Sequence, residues 1–599
     1  MNKLLAYYQK ELAFLKEHGK AFANKFPKIA HRLGITDGTS EDPHVERLVE
    51  SFALLTSRIH QRLDDDMPEL TEALLTSVAP QFLRPKPSTC IVEVEPDRHL
   101  SSITEKRKIA SGEKLYTRNI KETVCQFQTI YPVDLLPLSI EQVRLFLNDD
   151  DLLWHLNMGF KVWSGGKIEG GSLRLFLHGQ NNAVNIIYTL MCSEVYKLTL
   201  NHEGNRYEMR DSAISSVGFE ENNAVVTNDL CLAPIHILLQ DYFFFPQKFH
   251  FLDINLPVDF FANANTAFNI EIVFNRMHLT HVLEKLVKTI DNKFFRLNCT
   301  PAVNIFSQRA EPIVISESTA EYPIIVDHRE RHSISVWSIN DVYLQRKQGE
   351  VVTTMPMQPL LGVDYSRKED SCDILWQSFM RESNIGTGHQ NSMFIAFSKK
   401  NRKSSNISTS DLISISLTCT NNNIPNFMVN GHLDGDFDSD LPIPALKIRA
   451  LSKPTRLVTP PDKSEMRWRF VSLLTLNYTL LSGHEGAQVL REQLKLYNWN
   501  DNPSITKMIN LISDIDVKPV FSRIISDDPQ SLARGVSITL TFSHEALYEP
   551  EYYLMCCFID RYLALYAPVN SFTKVVTQIE YEEYTRRDWP VRAGKLSWI

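Results

Sequence analysis

The amino-acid sequence predicts a multidomain α+β protein, with an N-terminal helical region, mainly β central domains and an α+β C-terminal domain. Three observations carry that expectation. Apolar residues recur every three or four positions over the first 85 residues, every second position in short runs from Cys90 to about 450, and in mixed helix- and strand-sized blocks after the proline-bearing segment 452–462. A chain of 599 residues exceeds one ordinary core and suggests about four domains. A 43% hydrophobic and 22% charged composition is that of a folded globular chain. The expected divisions are 1–87, 88–325, 326–451 and 452–599.

In the helical region Leu4, Tyr8, Leu12, Leu15, Phe22 and Phe26 fall on one stripe, flanked by Lys10, Glu11, Lys16 and Glu17. Asp42 and Pro43 announce a second helix, as acidic N-cap and first-turn proline, whose stripe is Val45, Leu48, Val49, Phe52, Leu55, Ile59 and Leu63. The acid run 64–66 precedes "MPELTEALLTSV", where negative charge favours the start of a third helix. The first stripe has two possible covers, the chain's own second helix or an intermolecular bundle. On the second reading the interface residues are Leu4, Tyr8, Leu12, Leu15, Phe22, Val45, Leu48, Phe52, Leu55 and Ile59.

Pro80, Pro85 and Pro87 end the helices, and runs such as "CIVEVEPD", "SLRLFLHG", "IEIVF" and "ISISLTC" then read as strands of sandwich or barrel domains. After 462 the order reads helix from Trp468, helix 486–497, helix 504–512, strands 514–523 and 536–542, helix 551–566 and strand 572–580. The aromatic run "DYFFFPQKFHF" (241–251) lies between these textures. Pro234 can open a helix and Pro246 must end it, while Lys248 and His250 alternate with Phe249 and Phe251 as in a strand. Tyr242, Phe243, Phe245, Phe249 and Phe251 are therefore expected at a helix-to-strand corner, filling a core joint or a buried subunit interface. Asp241, Lys248 and Asp253 argue against membrane insertion of this run, and no polar groups converge there to make a ligand platform.

Several chemistries find no support. A net charge of −8 and one short basic run, "KKNRK" at 399–403, argue against a nucleic-acid partner. Nine scattered cysteines without a C-x-x-C pair suggest reduced, buried thiols, and no export signal or membrane span is visible, so a cytoplasmic location is expected. Phosphate-loop, dinucleotide, nucleophile-elbow and zinc motifs are missing, and no cofactor or catalytic residue is expected. The acidic loop "DGDFDSD" (434–440) resembles a calcium loop but has Ser439 at the turn glycine and Ala445 at the bidentate glutamate. A competing class is an enzyme or carbohydrate-binding protein on β-sandwich domains, with two acids converging in a cleft.

Many separate stretches, in one order from end to end, resemble the TssF family of the bacterial type VI secretion system. They include "YYQKELAFLKEHGKAFANKFPKIAHRLG", "DPHVERLVESFALLTSRIHQRLDDDMPELTEALL", "LLQDYFFFPQKFHFLDI", "LNCTPAVNIFSQRAEPI", "PTRLVTPPDKSEMRWRFVSLLTLNYTLL" and "LALYAPVNSFT". One departure is "CTNNNIP", where the family usually has a basic residue and this chain has Asn422 or Asn423. The resemblance implies a non-catalytic structural role similar to that of contractile phage tail wedge proteins. It implies wedges in which two TssF copies clasp one TssG and TssE joins, arranged around a VgrG hub. TssK then links the wedges to the inner-membrane complex, and sheath and tube assemble from this platform.

Overall fold

The computed structural model describes residues 8, 11–12, 35–36, 39–40, 43–65, 68–96, 104–168, 171–202, 205–210, 213–226, 234–257, 267–275, 280–316, 319–329, 333–348, 351–360, 374–383, 390–399, 411–443, 446–461, 464–474, 485–523, 532–567 and 571–594, and every count below is of these. It divides into two compact units, Met1–Leu83 with Pro461–Thr475, and Arg84–Pro460 with Leu476–Ile599.

The smaller unit is helical. Pro43 and Pro68 stand at the first positions of helices Pro43–Asp65 and Pro68–Val78, where the missing N–H forfeits no helical bond. Thr71 and Leu75, one turn apart, are buried. Helix Ser464–Leu474 packs against both. Its Phe470 stacks on Phe82 with centroids 4.5 Å apart, and Arg467 Nη1 lies 3.4 Å from Glu72 Oε2. The sequence places this helix in the C-terminal domain; the structure places it here, because Phe470 and Leu473 find their cover in this unit. Helical periodicity identifies the apolar face but not its partner.

The larger unit is built from sheets. Six strands close into a barrel in the order Cys299–Val303, Thr89–Pro96, Leu446–Ala450, Phe437–Ser439, Lys114–Thr117 and Gln126–Thr129. Along Thr89–Pro96 the residues Cys90, Val92 and Val94 fill the barrel with Phe127, Phe437 and Ile448. Ile91 points the other way, into a second core with Tyr131, Phe176, Phe245, Phe251 and Cys299. One strand thus serves two cores, which is why "CIVEVEPD" is apolar on both faces at its start.

A five-stranded antiparallel sheet joins Leu138–Leu147, Trp154–Val162, Ala267–Phe274, Val195–His202 and Asn205–Met209. A four-stranded sheet holds Ile214–Ser216, Phe251–Leu256, Gly171–Leu177 and Phe295–Arg296. The eight-stranded sheet centres on Ser335–Gln348 and Leu412–Thr420. Phe306–Arg309 and Ile313–Val314 pair with Leu412–Thr420, and Glu321–Pro323 pairs with Gln390–Lys399, so pairing runs across position 325. Sequence texture is uniform through that position, and strand periodicity carries no record of which strands pair.

In the C-terminal part helices Gly486–Lys495 and Pro503–Asn510 precede the antiparallel pair Ile512–Arg523 and Leu532–Phe542. Helix Tyr552–Leu563 follows, and strand Phe572–Ile579 returns parallel to Leu532–Phe542. The sequence reading stops at 580 and misses edge strand Glu582–Asp588, whose residues EEYTRRD show no apolar alternation. Gly535 lies opposite Phe572, and a Cβ built there would come within 2.5 Å of the Phe572 ring. Gly535→Val is therefore expected to cost about 1–3 kcal/mol by overpacking. The measurement is limited proteolysis with thermal denaturation; cleavage within 510–594 should accelerate, and an unchanged pattern would show that Phe572 can move aside.

Candidate functional site: an outward apolar stripe and a buried aromatic bracket

Helix Pro43–Asp65 presents its faces in an unusual order. At 100° per residue Leu48, Phe52 and Leu55 share one narrow arc, while Ala53 and Ser57 lie roughly opposite. The bulky side is the exposed one. Leu48, Phe52 and Leu55 are 71%, 56% and 58% exposed, whereas Ala53 and Ser57 are fully buried. Ser57 Oγ donates to the Leu54 carbonyl at 2.8 Å, so its burial leaves the hydroxyl satisfied within the helix. Single exposed leucines are common on protein surfaces, whereas three large apolar groups aligned on one arc are a less usual arrangement.

Tyr8 and Leu12 are helical and half-buried. Leu4, Leu15 and Phe22 lie outside the described residues, as do the side chains of Val45 and Ile59. Sequence reasoning misses Leu74 and Val78 of the next helix, which are also exposed and one turn apart. Their spacing within "MPELTEALLTSV" was the available signal.

The aromatic run folds into a bracket inside the larger unit. Helix Pro234–Phe244 is followed by the short 3-10 turn Pro246–Phe249 and then by strand Phe251–Leu256. The strand therefore begins at 251, later than the alternation of Lys248 and His250 suggests. Pro246 at the first position of the turn fixes a helical φ, and Lys248 N donates to Phe245 O at 3.1 Å to continue it. Every residue from Ile235 to Phe243 is buried, so the helix is covered on all sides rather than on one stripe.

Tyr242 stacks on Phe558 with centroids 4.5 Å apart and planes at 27°. Phe249 meets the same ring edge-on at 4.7 Å, and Phe243 stacks near Tyr497 at 6.0 Å. On the other side Phe251 packs against Tyr131 and Phe176, at 5.3 and 4.7 Å, and Phe245 joins that core. The path is tight at Gly218, whose φ is +103° and where a Cβ would lie 2.7 Å from Tyr131 Oη.

A charged pair is buried at the centre of the rings. Asp241 Oδ2 accepts from the Lys248 ammonium and, at 2.9 Å, from the backbone N–H of Val225. Asp241 is 5% exposed and Lys248 fully buried. Loss of water pulls the Lys248 pKa below its ordinary value, and the Asp241 carboxylate opposes that pull. The Lys248 carbonyl in turn accepts from Tyr131 Oη at 3.0 Å. The pair thus ties the turn to the helix before it and to the neighbouring core. Burial also pushes His236 and His250 down to about 4, so both are neutral near pH 7. His236 Nδ1 lies 2.5 Å from Tyr497 Oη.

The acidic loop serves its own backbone. Asp436 is 2% exposed; its Oδ1 accepts from Gly431 N and His432 N at 3.0 Å, and its Oδ2 from Ala450 N at 2.9 Å. Among the described residues no three His, Cys, Asp or Glu side chains are placed to hold a metal ion, and no helix is long and apolar enough to cross a membrane. The seven described cysteines are free.

The sequence profile of the family described as "Type VI secretion system, TssF" matches residues 1–596. The chain is 28% identical to the type VI secretion system component TssF1 of Pseudomonas aeruginosa, over 99% of both chains. Two solved structures share the fold. One is a chain of a type VI secretion TssK-TssF-TssG baseplate subcomplex determined by cryo-electron microscopy, with a TM-score of 0.71 and 23% identity over 92% of this chain and all of that one. The other is a chain of a type VI secretion baseplate complex, with a TM-score of 0.59 and 22% identity over 99% of this chain and all of that one.

Two outcomes follow from the bracket. Lys248→Met leaves the Asp241 carboxylate buried without its cation and should cost about 3–5 kcal/mol. The double variant Lys248→Met with Asp241→Asn should recover part of that loss in thermal denaturation; no recovery would mean the two groups act separately. For the histidines, the unfolded chain binds protons below its ordinary pKa of 6.5, while the folded chain holds His236 and His250 neutral until about pH 4. The unfolded state therefore carries more protons in that window, and stability falls as pH drops through it, by about 2 kcal/mol per histidine at pH 5. A His250→Gln variant should show a shallower decline of the thermal midpoint between pH 7 and 5; an unchanged slope would remove His250 from the account.

Proposed function

The chain belongs to the TssF family of the type VI secretion system, and on that premise we propose that it is a scaffold subunit of a secretion baseplate that works by assembly and not by catalysis. In this reading two copies clasp one TssG, TssE completes the wedge, and several wedges surround a VgrG hub. TssK joins them to the inner-membrane complex on the cytoplasmic side, and the sheath and tube assemble on the platform. The solved TssK-TssF-TssG baseplate subcomplex supports TssG and TssK as partners. TssE, VgrG and the second copy rest on the family resemblance.

The observation that carries the reading is the outward stripe Leu48, Phe52 and Leu55 on a helix that buries Ala53 and Ser57 instead. A soluble helix orients its bulky apolar face toward whatever covers it. In this proposal the cover is a bundle formed with the helices of TssG and of a second copy, to which Leu4, Tyr8, Leu12, Leu15, Phe22, Val45 and Ile59 also contribute.

The test is co-expression with the TssG partner followed by size exclusion. The unaltered chain should elute as two copies with one TssG. The triple variant Leu48→Asp, Phe52→Asp, Leu55→Asp replaces exposed groups, so each change should alter stability by no more than about 0.5 kcal/mol. It should nevertheless abolish co-elution, as should deletion of residues 1–30. A folded triple variant that still carries TssG in the same proportion would defeat the reading.

A further inference from the structure

Two short segments of the C-terminal part are rich in acid and tyrosine. "HEALYEPE" (544–551) and "EYEEY" (580–584) contain neither lysine nor arginine. The fold brings them side by side. The turn His544–Tyr548 follows strand Leu532–Phe542, and Glu580 and Tyr581 form the tip between strands Phe572–Ile579 and Glu582–Asp588. His544 Nδ1 lies 3.8 Å from Glu582 Oε1, its ring is 6.0 Å from that of Tyr548, and the Tyr584 hydroxyl donates to the Glu582 carboxylate.

The tyrosines are held outward. Tyr548, Tyr581 and Tyr584 are 70%, 94% and 53% exposed. Tyr581 also has a φ of +65°, a left-handed conformation that glycine or asparagine takes readily and a bulky aromatic does not. A ring 94% in water buries little apolar surface within this chain. Lys507 pairs with Glu549 and also attracts Glu545, whereas Glu580 and Glu582 have no lysine or arginine ion pair among the described residues.

We propose that Tyr548, Tyr581 and Tyr584, with Glu545 and Glu582, form a docking site for a lysine- or arginine-rich segment of a partner protein. Ring faces attract cations, and a guanidinium can lie on a ring while its N–H fork donates to a carboxylate. Tyrosine and arginine are also the residue types that dominate interface energetics. Membranes and nucleic acids present anionic groups, which these carboxylates repel. The proposal rests on a different surface from the outward helical stripe and does not depend on it.

The test uses the full-length protein and a fluorescein-labelled peptide of alternating arginine and serine, with binding read by fluorescence anisotropy at low and at physiological salt. Saturable binding is expected. Tyr548→Ala with Tyr584→Ala should weaken it about fivefold or more. Glu545→Gln with Glu582→Gln should weaken it similarly, while the charge-matched control Asp149→Asn with Asp150→Asn, two exposed acids on another loop, should leave it unchanged. Tyr581→Gly relieves the backbone, so that variant should be at least as stable as the parent in thermal denaturation and yet bind the peptide more weakly. Tyrosine variants that bind like the parent, or a control that weakens binding as much as the site acids do, would reduce the interaction to the chain's net negative charge and overturn the proposal.

Discussion

Helix Pro234–Phe244 is enclosed on every face, its polar His236, Gln240 and Asp241 included, and that enclosure is the condition the larger unit has to meet. One side is closed by Phe558, through Tyr242 and Phe249. The other is closed by the core of Ile91, Tyr131, Phe176 and Cys299, through Phe245 and Phe251. Ile91 and Cys299 belong to barrel strands, Phe176 to the four-stranded sheet and Phe558 to the C-terminal helix. Three pieces of architecture are therefore joined through a single helical segment. The buried pair Asp241 and Lys248 adds little net stability by itself, since desolvation offsets most of its attraction. Its effect is to tie the turn to the helix before it, through Asp241 and Lys248, and to the neighbouring core, through the Lys248 carbonyl and Tyr131.

The helical unit obeys the opposite rule. There Leu48, Phe52 and Leu55 of Pro43–Asp65 face outward, and Ala53 and Ser57 face inward. Small inward residues let this helix approach its neighbours closely, while Phe82, Phe470, Leu75 and Leu473 supply the bulk of the unit's core. The outward groups remain available for association. Total hydrophobicity does not separate the bracket from the stripe, since both are rich in Leu and Phe. They differ in which residues the chain itself manages to cover.

That difference explains what could be read in advance. Element type was legible wherever periodicity was strong: the starts of the helices at Pro43 and Pro68, and the order of helices and strands from Pro503 to Ile579, are written in local spacing. Partnership was not legible. Helix Ser464–Leu474 follows a linker yet its Arg467 reaches Glu72, 395 positions earlier, and the barrel draws strands from both ends of a segment running from Thr89 to Ala450. The bracket shows the same split on a small scale. Pro234 and Pro246 bound the helix as the sequence implies, but the turn Pro246–Phe249 mimics strand alternation because a four-residue window cannot distinguish the two periods. The stripe Leu48, Phe52 and Leu55 was legible, and an intermolecular bundle was one of its two expected covers, but spacing alone could not choose between that and a cover from the chain itself.

Under the proposed assembly, association and stability are linked. A stripe left in water would lose its hydration cost when covered, and a bound partner would stabilise the helical unit by mass action. The bracket receives no such help. Its rings and its charge pair find their partners within the larger unit. Rigid enclosure in one unit and deliberate exposure in the other are complementary requirements: a subunit that assembles through its helices needs its sheets to hold their geometry before the partner arrives.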